Sequence, residues 1–240
     1  MYKELNMIFR IIKYLIVSLL VLTLLLFGGV YTITKLYDQE IKKIALEQIN
    51  THLKKPILVE NIELNAFNHF PSISLEFSNL TIKDPHREID TLIYAKKAYL
   101  NFDSYDLLNN RYVVRKLILS NGFNNILIDK KGNENFMIFK KKEKSKDKNF
   151  KFLLEQVVIE DFIVSYQNQI LRQRYDFYIK NSKLNGAFSE KKYDLNIFSN
   201  MIVNNFILEK INYVKSKDVK VDVKLYVVNN PFSLSINIGK

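Results

Sequence analysis

Val219–Val227 reads VKVDVKLYV, and beyond Asn229-Asn230-Pro231 the chain continues as Phe232–Ile238, FSLSINI. In the first run Val219, Val221, Val223, Leu225 and Val227 alternate with Lys220, Asp222 and Lys224. In the second Phe232, Leu234, Ile236 and Ile238 alternate with Ser233, Ser235 and Asn237. Successive side chains of a strand point to opposite sides, so each run has one apolar and one polar face. Antiparallel sheets with one solvated face give this pattern, whereas parallel α/β sheets do not. The Asn-Asn-Pro between the runs is a turn signal.

The same period of two extends back along the chain. Ile73, Leu75 and Phe77 alternate with Ser72, Ser74 and Glu76; Ala98, Leu100 and Phe102 with Lys97, Asn101 and Asp103; Tyr175, Phe177 and Ile179 with Asp176 and Lys180. Turn signals fall at Asp84-Pro85, Ser120-Asn121-Gly122, Lys131-Gly132-Asn133 and Asn185-Gly186. Ser104–Asn110 reads as a short helical turn. The charge run Lys140–Lys148, KKKEKSKDK, reads as a solvated loop (140–149) between two halves of one continuous sheet, 56–139 and 150–240. At about 10 to 20 residues per strand and connection, the region from Ile57 predicts about ten to fifteen strands, a sheet roughly 50–70 Å across.

Before Ile57 the period is helical. Leu36, Ile44, Ile49 and Leu53, separated by charged residues, predict an amphipathic helix over 34–55, ended by the geometry that Pro56 imposes on Lys55. Ahead of it Tyr14–Ile33, YLIVSLLVLTLLLFGGVYTI, carries no charge. A helix of that length measures about 30 Å, enough to cross a bilayer's hydrocarbon core. A cleaved signal peptide is the competing reading, but FGGVYTITK offers no convincing small-x-small site. The expected topology is a cytoplasmic stub (1–13), a single span (14–33) and the rest across the membrane.

A net charge of +11 raises nucleic acid as a partner, but the Lys and Arg residues are scattered rather than grouped with aromatics, which argues against it. Attraction of the lysine run to anionic headgroups is the functional alternative to a plain solvated loop. With no cysteine, and with His52, His69 and His86 seventeen residues apart, no metal site is expected. Phosphate-cradling glycine loops, nucleophile motifs and a proton-transfer pair around Glu160-Asp161 are lacking too. The expectation is therefore no enzyme and no cofactor. Asp129, Gly132 and Asn135 read as a hairpin in which Gly supplies positive φ and Asn bonds backbone.

KKPILVENIELNAF, then PSISLEFSNLTIKDP, then LIYAKKAYLNFDSYDLLNNRYVVRKLILSNGFNNILIDKKGNENF, spread over residues 42–139 behind a helix, resemble the N-terminal region of the AsmA-like family. Leu107-Leu108, the strand pair Val113–Ile128, and Asp129, Gly132 and Asn135 match its motifs, with Phe136 where the family often has Trp. Residues 150–240 look like the family's less distinctive β continuation. The resemblance implies a U-shaped antiparallel sheet, akin to chorein-type bridge-like lipid transfer proteins. Such a sheet hangs from the bacterial inner membrane into the periplasm and cradles acyl chains in an apolar concave face. The expected role is phospholipid transport or outer-membrane and envelope assembly, with phospholipid as partner and Val219, Val221, Val223, Leu225, Val227, Phe232, Leu234 and Ile236 as candidate groove lining. The alternation alone is equally compatible with a closed sandwich core. It also fits a membrane-tethered scaffold that binds envelope proteins through the C-terminal strand edge and holds no lipid.

Overall fold

Strand β2 (Ile73–Lys83) shows how the sheet is built. Ile73, Leu75 and Phe77 project to one side and are buried, and each pairs across the next strand with a residue of the same kind: Ile73 with Phe102, Leu75 with Leu100, Phe77 with Ala98. Repetition of this pairing gives a single nine-stranded sheet among the described residues, with its strands in chain order. The others are β1 (Asn61–Asn65), β3 (Thr91–Phe102), β4 (Tyr112–Ile128), β5 (Phe150–Asn168), β6 (Gln173–Asn185), β7 (Lys192–Leu208), β8 (Ile211–Asn230) and β9 (Ser233–Ile238). The computed structural model describes residues 16–18, 20, 21, 28, 39, 41–65, 73–109, 111–140, 150–188, 192–230 and 233–238. The expected span 14–33 and the lysine run lie largely outside them. Among the described residues no helix is long and apolar enough to cross a membrane.

The mainly β fold and the single continuous sheet match the sequence reading, with three corrections. First, β4 and β5 run parallel, from Tyr112↔Phe150 to Ile128↔Asn168; every other pair is antiparallel. β4 ends at Ile128, level with the end of β5, so the chain must return the length of the strand before β5 can start. Parallel neighbours need a connection of about a dozen residues or more, and 129–149 supplies it. Second, Ser120-Asn121-Gly122 is no turn: β4 runs straight through it, and Asn121 takes φ +55° inside the strand. Third, strands of up to 20 residues consume the chain faster than expected, so among the described residues there are nine rather than ten or more.

Helix α1 (residues 41–52) lies on the apolar face and closes the core, with Ile41, Ala45 and, just beyond its end, Leu53 buried against Leu75, Phe77, Leu100 and Phe102. Lys54 N–H donates to the Ile138 carbonyl and Lys140 N–H to the His52 carbonyl, so the chain returning from β4 ties down the end of α1. Helix α2 (Ser104–Leu108) is the expected helical turn, capped by Asp103, whose Oδ1 accepts the N–H groups of Tyr105 (2.8 Å) and Asp106 (3.3 Å).

Candidate functional site

Residues paired across a sheet share a face, so the register traces the apolar surface from strand to strand. From Leu75 it passes to Leu100, Leu117 and Val157, then to Leu184, Ile197 and Val223. The next row runs from Phe77 through Ala98, Leu119 and Ile159 to Ser182, Ser199 and Val221. Val219, Val221, Val223 and Leu225 thus lie on the same face as the buried core, opposite Met201, Ser199, Ile197 and Leu195 of β7. Val227 pairs with Ile236, and Leu234 with Asn229, so the backbone brings these three candidates onto the β8–β9 ladder; Phe232 lies outside the described residues.

The apolar face survives a break in the alternation that runs across the sheet. In β2 the buried series Ile73, Leu75, Phe77 resumes at Leu80, one residue late, with Asn79 at φ +52° in between. β4 and β5 break at the same level, at Asn121 (φ +55°) and Asp161 (φ +50°), and β6 carries its extra residue at Lys180. The flanking pairs fix the level: Ser78↔Lys97, Ser120↔Glu160 and Glu160↔Asn181 on one side, Leu80↔Ala95, Gly122↔Phe162 and Phe162↔Ile179 on the other. An extra residue flips the parity of everything beyond it, so a row of such residues keeps the same face apolar on both sides of the break. Space is tight there: a Cβ at Gly122 would sit 2.0 Å from the Tyr94 carbonyl oxygen and 2.6 Å from the Phe162 ring. The sequence disguised this row as a turn, because Asn-Gly serves both purposes. Ile159, Phe162, Val164 and Ile179, none of them in the candidate groove lining, belong to the same face for this reason.

Cover distinguishes one end of this face from the other. The buried cluster under α1 ends in β5 and β6, at Phe162, Val164 and Ile179. Val219, Val221, Val223 and Leu225, with Leu195 and Ile197 beside them, are only half-buried. Near the ends of β5–β7 this side carries an aromatic row: Tyr166 stacks on Tyr175 (5.4 Å) and Tyr175 on Phe206 (4.5 Å). The opposite face mixes exposed ion pairs such as Lys224–Asp194 (2.9 Å) and Lys180–Asp218 (2.7 Å) with apolar side chains, Ile118 and Val158 buried and Ile163, Phe198 and Tyr226 exposed.

Two polar clusters brace the frame. Gly132 takes φ +84°, and Asp129 Oδ1 accepts the N–H groups of Lys131 (2.8 Å) and Asn133 (2.9 Å). The Asn133 amide and those backbone bonds hold the Asp129 carboxyl below its usual range. Buried Asn135 bonds the backbone of Leu127 and Asn125 and reaches Asp84 Oδ2 at 3.1 Å. These residues therefore form a structural hairpin, as read. On the polar face, burial pushes the Asp176 carboxyl up, but bonds from Ser165 (2.7 Å), Asn205 (2.9 Å) and Arg174 (2.8 Å) outweigh it, and the net shift is downward. Among the described residues there is no group of three or more His, Cys, Asp or Glu side chains able to hold a metal ion. Comparison of the chain with protein-family models, curated proteins and solved structures finds no match.

Proposed function

We propose that this chain is a membrane-anchored β-groove protein that holds lipid acyl chains on the apolar face of β6–β9, serving phospholipid transport or envelope assembly from the periplasmic side of the bacterial inner membrane. The observation that carries the reading is the half-buried continuation of the core face: Leu195, Ile197, Val221, Val223 and Leu225 extend the surface that α1 seals elsewhere. The row of breaks from Asn79 to Lys180 supports curvature, because extra residues bend strands, and small residues (Ala95, Ala98, Gly122) cluster beside it on the apolar side. Bent along that row, the sheet becomes a trough whose axis crosses the strands and whose floor is apolar. Acyl chains withdrawn from a bilayer gain about 0.8 kcal/mol per CH₂ from such a surface, and headgroups remain in water. The resemblance of residues 42–139 to the AsmA-like family supports the same role.

The test is lipid mass spectrometry of the full-length protein extracted from membranes, read against an unrelated single-span protein carried through the same detergent. Co-purifying phospholipid above that control is expected; none would overturn the reading. The scaffold alternative has its own observation: β9 pairs only with Leu225–Asn230, so β8 from Ile211 to Lys224 has no described neighbour on its outer edge. Such an edge can add a strand from a partner protein. Absence of lipid together with a cross-link from that edge to an envelope protein would favour it.

A further inference from the structure

The connections β5–β6 (169–172) and β7–β8 (209–210) lie side by side at one end of the strands, next to the 129–134 hairpin. Glu209 N–H donates to the Arg172 carbonyl at 2.8 Å, Gln169 N–H to the Ile128 carbonyl at 2.9 Å, and Lys130 N–H to Gln169 Oε1 at 3.2 Å. Three separate stretches of sequence therefore make one tip. Four of its large side chains are apolar and exposed: Ile170 by 56%, Leu171 by 57%, Ile211 by 58% and Tyr213 by 60%. A turn that exposes two adjacent aliphatic residues beside an exposed Ile and Tyr on the next hairpin forms a patch, unlike the isolated apolar residues that dot any surface.

Cations lie beside the patch. Lys130, Arg172, Arg174 and Lys210 line the cleft of about 460 Å³ between the turns, and exposed Lys131 stands beside it. Arg174 is paired with Asp176, and the other four cations face three carboxylates, Asp129, Glu134 and Glu209, which leaves a small positive excess. Apolar side chains at a turn tip flanked by an excess of Lys and Arg fit an anionic lipid surface: the chains enter the acyl boundary and the cations meet the phosphates. A protein partner would have to supply both an apolar socket and an acidic rim.

We propose that this tip docks on an anionic bilayer surface, setting the apolar face of β5–β8, with Tyr166, Tyr175 and Phe206 nearest the tip, against the lipid. Docking stands apart from lipid loading, and each can fail alone.

Because the chain has no tryptophan, Leu171→Trp places a single indole at the tip. The experiment uses the full-length variant in phosphatidylcholine nanodiscs, with its far-UV circular dichroism matched to the unsubstituted protein. Vesicles of phosphatidylcholine with or without phosphatidylglycerol are then added. The expected result is a blue shift of indole emission with phosphatidylglycerol vesicles, lost in high salt and reduced at least fivefold when Arg172→Glu and Lys210→Glu are combined with Leu171→Trp. An absent shift, or an equal shift with neutral vesicles, overturns the proposal. A second reporter, Lys183→Trp on the polar face, should stay unshifted; a shift there as well indicates non-specific adsorption and also overturns it. Lipid content measured on the same preparations reads the groove independently.

Discussion

Strands β2–β4 and strands β7–β8 carry the same spacing of large apolar side chains, yet Leu75, Phe77, Phe102 and Val114 are out of solvent while Val219, Val221, Val223 and Leu225 are half exposed. Alternation specifies a face; it does not specify what covers that face. In the first region the cover is α1, and the polar side is closed too, with Ser74, Glu76 and Asn101 buried and Glu76 paired to Lys97 at 2.5 Å. In the second, the polar side is studded with exposed Lys and Asp. Full burial of a Leu or Phe contributes about 1.5–3 kcal/mol, so a half-buried row leaves part of that stabilisation for a ligand to complete. The first region holds the fold together, and the second is the one the proposed groove uses.

A charge placed in the sealed region should separate the two most sharply. Leu75→Glu puts a carboxylate at a site with 0% exposure, between Leu64 and Leu100 on its face. The expected loss is on the order of 4 kcal/mol or more, enough to remove the cooperative transition in a urea titration followed by circular dichroism. A transition close to that of the unsubstituted protein would mean that α1 is not a true cover.

The break row comes next. Gly122→Val adds a side chain where its Cβ alone would meet the Tyr94 carbonyl oxygen at 2.0 Å, so β3 and β4 must part. About 1–3 kcal/mol of destabilisation is expected, read as a lower urea midpoint. Asn121→Ala keeps the volume small but meets the left-handed φ without the tolerance of Asn, and about 1 kcal/mol is expected. If Gly122→Val were neutral, the breaks would be loose kinks rather than a packed bend.

Asp176 gives a pH handle on the uncovered half. Its folded pKa lies below its unfolded value, so its contribution is complete above the unfolded pKa of about 4 and is lost as pH falls through the folded one. Asp176→Asn removes that dependence and should cost about 1–2 kcal/mol at pH 7, since Ser165, Asn205 and Arg174 lose a charged acceptor. Urea midpoints at pH 7 and pH 3 should converge for the variant relative to the parent. An unchanged gap between them would assign the acid sensitivity to other carboxylates.

The fold was legible where a run of alternating residues lies within one unbroken stretch, as at Ile73–Phe77, Ala98–Phe102 and Val219–Leu225. It was illegible where an extra residue shifts the parity, because Val157-Val158-Ile159-Glu160-Asp161-Phe162 alternates only if Asp161 is skipped, and nothing local says so. The parallel β4–β5 pair was hidden for a different reason: direction depends on how the chain returns from β4, and residues 129–140 are held by contacts with Lys54, Leu53 and Asp84 far away in the chain. The candidate face was legible in β8. Its extent into β5–β7, and the difference between covered and uncovered halves, required the register and the position of α1.

The smallest effect on stability should come from the substitution that matters most for the proposed function. Val223 lies on the apolar face between Val221 and Leu225 of its own strand and opposite Ile197, half-buried, with water within reach of a longer side chain. A glutamate there can turn its carboxylate outward past its neighbours, so Val223→Glu should cost only about 1 kcal/mol, against the several expected for Leu75→Glu. The same carboxylate stands where acyl methylenes would lie, and desolvating it costs far more than one lipid chain gains at that point. Phospholipid recovered with the full-length variant should therefore fall severalfold while the urea midpoint barely moves. Global unfolding of Val223→Glu would show that β8 has a cover equivalent to α1 and would remove the distinction between the two regions. An intact fold with undiminished lipid would place the acyl chains elsewhere on the sheet.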